Sequence, residues 1–533
     1  METQVLIIGG GVTGAGLARD LALRGIDCIL AEQRDLNAGA SGANHGLLHS
    51  GARYLASDPG AAAECRAENA LLKRLAPHCI EDTGGLFVAV AGDPEDYIAD
   101  FPSRCERSGI AAEALDPAAA RELEPGLSDR VIAAYAVADA TIDPFMLTFD
   151  NLAQARALGA RVLRFTRVSG FELAGAAIRS VSLNDETTGG RFQVRAQLVI
   201  NAAGAWAGRI AALAGIHLNM LYSKGSLLVT QARLNQRVLN RLRPATDADI
   251  LVPGGTVSIL GTTSVRIPDP DDLRPEVDEI DRIIEEGAVM VPELKTIRYI
   301  RAYCGVRPLI GSSGGGGDDR QVSRGFTLLD HGADGVNNFI TITGGKLTTY
   351  RLMAEKTADL VSARLGVTAP GRTAVEPLPA AAADRWTEPG LTPNLWVRRN
   401  DPNDLLLCEC EMVPMSVVES VADSLRSPDG PPFSLKALGL RSRIGKGPCQ
   451  GTFCSERITA HLYQSERFSG RDGVSNLRAF LTERWRGQRP LLWGPAMIQY
   501  ELQEAMHCAL FGLELEDHEQ SGSPADDPRA AGN

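Results

Sequence analysis

The feature that most constrains the fold lies at the start of the chain. Val5-Leu-Ile-Ile runs straight into Gly9-Gly-Gly-Val-Thr-Gly14, and Ala15 to Arg24 then has helical character. Gly9, Gly11 and Gly14 satisfy G-x-G-x-x-G between a strand and a helix. In that context the glycines permit a tight turn, backbone approach to a pyrophosphate and close helix–sheet packing. The helix N-terminus adds amide donors and the positive end of its dipole. A second strand, Asp27-Cys-Ile-Leu-Ala, ends at Glu32. A carboxylate there can take both hydroxyls of an adenosine ribose and disfavours a 2′-phosphate. A glycine motif alone can be purely structural. Strand, glycines, helix, strand and acid in series predict a dinucleotide site.

At 533 residues the chain is too long for one ordinary core, so two or three domains are expected. Apolar residues at 44% and charged residues at 23% describe an ordinary globular protein. The formal charge of −12 argues against nucleic-acid binding and against a broadly basic membrane-docking face. No basic leader opens the sequence, and no apolar run is long enough to span a bilayer, the longest being broken by Arg19, Asp20 and Arg24. The expectation is a cytoplasmic protein, free or resting on the inner face of the membrane. Six cysteines (Cys28, Cys65, Cys79, Cys105, Cys304, Cys508) are scattered and read as reduced, buried thiols.

Residues 1–370 alternate strand-like and helix-like segments, as an α/β unit does. A Pro- and Ala-rich stretch, 371–404, reads as a linker. A small module at 405–461 is bracketed by paired cysteines, a helical segment follows at 462–515, and 516–533 has the composition of a disordered tail. The Gly314–Gly317 run reads as a mobile surface loop. In the helical segment Trp485, Leu492, Trp493 and Met497 suggest an apolar stripe, which packs on its own domain or docks elsewhere.

The glycine motif does not choose between NAD and FAD; later segments bear on that. Thr166-Arg-Val168 follows an α/β stretch. Leu198-Val-Ile-Asn-Ala-Ala-Gly-Ala-Trp206 reads as a buried strand ending in small residues, with Ala203 and Gly204 at its tip. Phe339-Ile-Thr-Ile-Thr-Gly-Gly-Lys-Leu-Thr-Thr-Tyr350 is again strand, glycine turn and helix. Three returns to one nucleotide-sized site suit a buried FAD better than a dissociable nicotinamide.

These segments resemble the D-amino acid oxidase-like flavoproteins, which include the FAD-dependent glycerol-3-phosphate dehydrogenases. Gly46-Leu47-Leu-His49-Ser-Gly-Ala-Arg53-Tyr54-Leu, Gly305-Val-Arg307-Pro-Leu and Gly344-Gly345-Lys346-Leu347-Thr348-Thr-Tyr-Arg351 look like signatures of that dehydrogenase group. The order of segments, with a cysteine module behind them, is similar to its anaerobic, multi-subunit branch. The resemblance covers roughly residues 4 to 510. It implies a Rossmann-like FAD-binding domain with an inserted α+β substrate-binding region. Glu32 would hold the adenosine ribose, Val168 would meet the adenine through its backbone, and Gly345 to Thr348 would lie near the flavin. Gly46, Leu47, Ala203 and Gly204 complete the expected cofactor contacts. Single-subunit respiratory relatives commonly carry a histidine after a Lys-Gly-Ser turn, whereas Lys224-Gly-Ser226 is followed here by Leu227.

The reaction implied is oxidation of sn-glycerol 3-phosphate to dihydroxyacetone phosphate. A phosphate dianion suits guanidinium forks, so Arg53 and Arg307 are candidates, with Tyr54 as hydroxyl donor. His49 can act as general base or as a structural hydrogen-bonding group. Lys346 can support negative charge on a reduced flavin. An opine, an amine or another hydroxy acid is the alternative substrate, and a non-catalytic role in electron transfer the alternative function.

Cys408-Glu-Cys410 and Cys449-Gln-Gly-Thr-Phe-Cys454 form two close pairs. Four thiolates suit tetrahedral zinc or an iron–sulfur cluster. The first pair is tighter than the usual zinc spacing. The flanking Arg441-Ser-Arg443-Ile-Gly-Lys-Gly-Pro-Cys-Gln-Gly resembles the bacterioferritin-associated-ferredoxin-like module behind several flavin dehydrogenases, which implies a small ferredoxin-like [2Fe–2S] module. Partner subunits passing electrons toward a quinone are likewise implied; no quinone site is evident in the residues.

Overall fold

Strand Glu2–Ile8 carries Val5, Leu6, Ile7 and Ile8 on both of its faces, and all four are buried. A strand apolar on both sides must be covered on both sides, which sets a layered α/β arrangement. The computed structural model, describing residues 1–311, 325–380, 386–388, 391–425 and 433–513, has this form. Glu2–Ile8 pairs in parallel with Cys28–Ala31 on one side and Arg191–Asn201 on the other. Arg161–Leu163 and Phe339–Gly344 extend the parallel part at its two edges. Helices Val12–Leu23, Pro144–Ala157 and Tyr350–Leu365 cover one face through Leu17, Leu21, Phe149, Leu152, Met353 and Ala358. The antiparallel strands Thr166–Ala174 and Ala177–Asp185 help close the other.

The chain leaves this sheet after Cys28–Ala31 and again after Arg191–Asn201, and both excursions build a second, nine-stranded sheet. Gly85–Val90 from the first excursion pairs with Val238–Arg241 from the second, so the inserted region is one unit in two pieces. Its longest strands, Met220–Thr230 and Tyr299–Ile310, pair antiparallel along eleven residues and carry one edge of the cleft between the sheets.

Part of the expected linker is held against the first domain: Arg19 donates to the carbonyls of Glu376 and Pro377, and the amide of Leu378 donates to Leu75. Beyond it, short strands Leu406–Cys408 and Val413–Pro414 join helices Met415–Leu425, Leu435–Leu440, Cys454–Gln464, Asp472–Gln488 and Pro495–Phe511. The cysteine-bearing segments and the last two helices share one core, in which Val418, Leu438 and Ile458 meet Phe480, Trp485 and Tyr500. Residue 461, expected to close the cysteine module, falls inside the helix Cys454–Gln464.

This unit sits on both sheets. Arg441 forms a buried ion pair with Asp35 at 2.9 Å and lies over the ring of Phe149, while Glu483 pairs with Arg301 of the second sheet. Burial opposes ionisation of Asp35, but Arg441 and Arg164 outweigh it and bring the carboxyl to about 2. The Gly314–Gly317 run and the 516–533 tail lie outside the described residues. Among the described residues no helix is long and apolar enough to cross a membrane.

Candidate active site

A cleft of about 340 Å³ runs from the glycine turn to the junction of the two sheets. Gly9 and Gly11 form its floor, and helix Val12–Leu23 points its N-terminus into it. Gly9 has φ +119°, and a Cβ built there would stand 2.5 Å from the carbonyl oxygen of Ala202. Gly14 lies beneath the turn, where a Cβ would strike the carbonyl of Gly9, so its role is close packing. Alanine at Gly9 combines a left-handed backbone with a main-chain clash, worth roughly 1–3 kcal/mol. The Gly9→Ala variant is expected to retain FAD at least tenfold less well and to melt earlier, checked by flavin release on dilution and by calorimetry.

Glu32 lines the cleft at the end of its strand. Its carboxylate accepts from the amides of Gly10 (2.7 Å) and Arg34 (2.8 Å), which anchors the acid beside the glycine turn. Burial raises its pKa against these two hydrogen bonds. Val168, Ala203, Gly204, Gly345, Lys346 and Leu347 share the same cleft wall, as does Leu47. Gly46 is set just behind it at φ +68°, and Thr348 is fully buried, its hydroxyl accepting from the amide of His49. Ten of the expected cofactor residues therefore line one channel, from segments more than 300 residues apart, while Gly14, Gly46 and Thr348 do not line it. Glycine floor, anchored acid and small-residue walls fit a long dinucleotide.

At the far end of the cleft stand His49, Tyr54, Arg307 and Lys346. His49 follows the short strand Leu47–Leu48 and is fixed by its surroundings. The Ser50 amide donates to Asp139, Asn69 donates to the Leu48 carbonyl, and the His49 amide donates to Thr348. Its Nε2 is 3.2 Å from the Tyr54 hydroxyl, and Lys346 Nζ lies 4.5 Å from the centre of the Tyr54 ring. Burial first, then His45, Lys346 and Arg53, hold the His49 imidazole well below its ordinary pKa. It is neutral at physiological pH and able to take a proton.

The two arginines differ in placement. Arg307, on the long strand Tyr299–Ile310, lines the cleft and donates to the carbonyl of Thr263 at 3.1 Å and to the hydroxyls of Thr262 and Ser223. A Cβ at Gly225 would come within 2.5 Å of its guanidinium, so the glycine of Lys224-Gly-Ser226 makes room for Arg307. Arg53 lies outside the cleft wall, and its guanidinium reaches Asp249 at 2.5 Å and the carbonyl of Arg241. The expected Lys-Gly-Ser turn is in fact mid-strand, within Met220–Thr230. Lys224 is buried in an ion pair with Glu279, while Leu227 faces the cleft.

His45 is a site residue that sequence reasoning passed over. It lines the cleft beside His49, ring centres 6.1 Å apart, and burial with Arg307 and Arg53 lowers it to about 4. Its signal was present, a second histidine one residue before the Gly46 segment. Thr262 and Thr263 carried no comparable signal.

The four paired cysteines come together in the C-terminal unit. Cys454 hydrogen-bonds to Cys408 and Cys449, holding both of these below the usual thiol range, and Cys410 meets Cys449. None is in a disulfide. Among the described residues, the set of His, Cys, Asp and Glu ligand atoms lying mutually within 4.8 Å is His78, Cys79 and Asp150.

Residues 4–360 match the family described as FAD dependent oxidoreductase. The chain is 42% identical to the A subunit of anaerobic glycerol-3-phosphate dehydrogenase from Escherichia coli strain K12, over 97% of this chain and 98% of that protein. It is 38% identical to the A1 subunit of the enzyme of the same name from Haloferax volcanii, over 95% of this chain and 90% of the relative. Among solved structures, the glycerol-3-phosphate dehydrogenase from Bacillus halodurans complexed with FAD is similar in fold. Its TM-score is 0.63 at 22% identity, covering 92% of this chain and 96% of that one. Glycine oxidase from Geobacillus kaustophilus, with TM-score 0.57, covers 68% of this chain and 95% of its own. The chain belongs to the FAD dependent oxidoreductase family, in the branch formed by the A subunits of anaerobic glycerol-3-phosphate dehydrogenase.

Proposed function

We propose that the chain oxidises sn-glycerol 3-phosphate to dihydroxyacetone phosphate, holding FAD in the cleft and a [2Fe–2S] cluster at Cys408, Cys410, Cys449 and Cys454. Electrons would then pass through partner subunits toward a quinone. The observation that carries this reading is the convergence of His49, Tyr54, Arg307 and Lys346 on one end of a dinucleotide cleft. The names of the near full-length relatives agree with it.

FAD, when bound, supplies a two-electron oxidant for a secondary alcohol. Gly9, Gly11 and the helix N-terminus would take its phosphates, Glu32 its ribose, and Gly345 to Leu347 the end nearest His49. Neutral His49 accepts the proton of the substrate hydroxyl by way of the Tyr54 hydroxyl, which takes that proton as it donates its own to Nε2. Arg307 receives the phosphate, its guanidinium fork pre-oriented by Thr262, Thr263 and Ser223. Arg53, committed to Asp249, serves as a positioning residue for the His49–Tyr54 segment. Lys346 keeps positive charge where negative charge develops.

At the cysteines, the donor set fits iron–sulfur ligation. The Cys-x-Cys spacing of the first pair is tighter than the usual zinc pattern, which supports the cluster over zinc. Such a cluster accepts electrons singly, which suits a site behind a two-electron centre. Among the described residues no helix is long and apolar enough to cross a bilayer, and the relatives' names as A subunits support onward transfer through other subunits.

Arg307→Leu is expected to lower kcat/KM for sn-glycerol 3-phosphate by roughly 30- to 150-fold, the effect of losing about 2–3 kcal/mol of charged hydrogen bonding, mostly through KM. An unchanged KM would remove Arg307 from the phosphate. The whole reading is tested by the visible spectrum of anaerobically purified protein before and after sn-glycerol 3-phosphate. Flavin bands that bleach over a broad iron–sulfur background support it. Bands that stay oxidised with this substrate but bleach with an opine or amine would replace it.

A further inference from the structure

The last helix, Pro495–Phe511, has two unlike faces. Its inner face, Tyr500, His507 and Cys508, is buried. Tyr500 donates to Gln488, and His507 Nε2 lies 3.3 Å from the Thr452 carbonyl and 2.7 Å from Glu456. That inner face therefore packs directly on the loop joining Cys449 to Cys454. Its outer face carries Ile498, Leu502, Met506 and Leu510 at four-residue spacing, one line along the helix. Their exposures run from 54% to 73%, and Trp493, just before the helix, is 83% exposed. Phe453, beside Cys454 and Thr452, is 62% exposed as well.

A contiguous row of large apolar side chains in water is a docking surface in want of a cover. Three occupants can be weighed. Residues 514–533 offer one large apolar residue, Leu515, among acidic, glycine and proline residues, too little to cover five side chains. A lipid surface is the second. Helices that lie on anionic membranes carry Lys or Arg along their own polar face, whereas Pro495–Phe511 carries none; its Glu501 is exposed and its Glu504 is paired with Arg489 before the helix. The third is a protein with an apolar strip and a basic group to meet the exposed Glu501.

We infer that Trp493, Ile498, Leu502, Met506 and Leu510 form the surface on which an electron-accepting partner subunit docks. The inference rests on the proposed function, which needs a route out of the cysteine centre. A protein seated here would be separated from the Cys449–Cys454 loop by one helix, about 10–12 Å across. The same face thus provides both binding area and proximity, and its apolar chemistry selects a stable subunit over a transient carrier.

The test uses the full holoenzyme. A photo-crosslinking amino acid is placed at Leu502 in the native host, with Val277, exposed on another element, as control. The captured protein is identified, purified and added to substrate-reduced holoenzyme. It is expected to reoxidise the wild type, and the Leu502→Glu/Leu510→Glu double variant at least tenfold more slowly. Bleaching by sn-glycerol 3-phosphate and the melting temperature should stay at wild-type values. Four results would overturn the inference: a crosslink to a second copy of this chain, no crosslink above the Val277 control, a captured protein that takes no electrons, or flotation with phosphatidylglycerol vesicles that the double variant abolishes. Failure of the flavin to bleach would count against the substrate reading alone, since docking and reoxidation are measured equally with dithionite-reduced protein.

Discussion

Replacing His49 by asparagine is expected to lower kcat for sn-glycerol 3-phosphate oxidation by roughly 100- to 10,000-fold, the range general-base catalysis contributes. KM should change by only a few-fold, because phosphate recognition falls to Arg307. The imidazole is buried, neutral and held 3.2 Å from Tyr54, while its backbone is pinned by Thr348, Asp139 and Asn69. The variant should therefore keep its FAD and its fold. Burial, His45, Lys346 and Arg53 all disfavour the imidazolium, so the sign of the pH dependence follows. A lowered pKa keeps the base unprotonated through pH 6.5, and the acid limb of kcat/KM should fall below that value. Rapid-reaction bleaching across pH 5 to 8 measures both. A loss under tenfold, or an acid limb near 6.5, would give His49 a structural role only.

The second large effect concerns the cysteine centre. Cys449→Ser removes the sulfur that hydrogen-bonds to both Cys410 and Cys454. Loss of a direct ligand should reduce metal occupancy at least as much as loss of a supporting group, which costs about 10- to 100-fold. Iron and acid-labile sulfide should fall accordingly, from about two irons per wild-type chain for a [2Fe–2S] cluster. Bleaching of the flavin by substrate should persist, since the cleft lies in a separate unit, while turnover with a quinone acceptor through partner subunits collapses. Elemental analysis separates the alternatives cleanly: one zinc per wild-type chain and no iron would overturn the cluster.

The docking of the C-terminal unit adds a pH dependence of its own. Asp35 is brought from the ordinary carboxylate range to about 2 in the folded protein. Its contribution to stability is present above the unfolded value near 3.8 and is lost as pH falls toward 2.

The N-terminal half-site was legible because each of its parts is local. A strand apolar on both faces, glycines at the turn, a helix and an acid at the next strand end all lie within Val5 to Glu32, and local sterics leave few other solutions. Each cysteine pair was legible for the same reason, its short spacing, whereas the meeting of the two pairs was decided by the fold. Contacts between distant segments were not legible. Arg53 and Arg307 look alike in sequence. Only the pairing of Gly85–Val90 with Val238–Arg241 brings Asp249 to the first, and only the strand pair Met220–Thr230 and Tyr299–Ile310 turns the second into the cleft. Likewise the tail's apolar stripe left packing or docking open, because an amphipathic pattern does not say what covers it. Tertiary structure decided that Trp485 goes inside and Trp493 stays in water, since helix Pro495–Phe511 spends its other face on the cysteine loop. The sequence by itself determined chemistry and local geometry; the reach of a charged or apolar side chain to its partner was decided by topology, because that distance is a property of the whole chain's path.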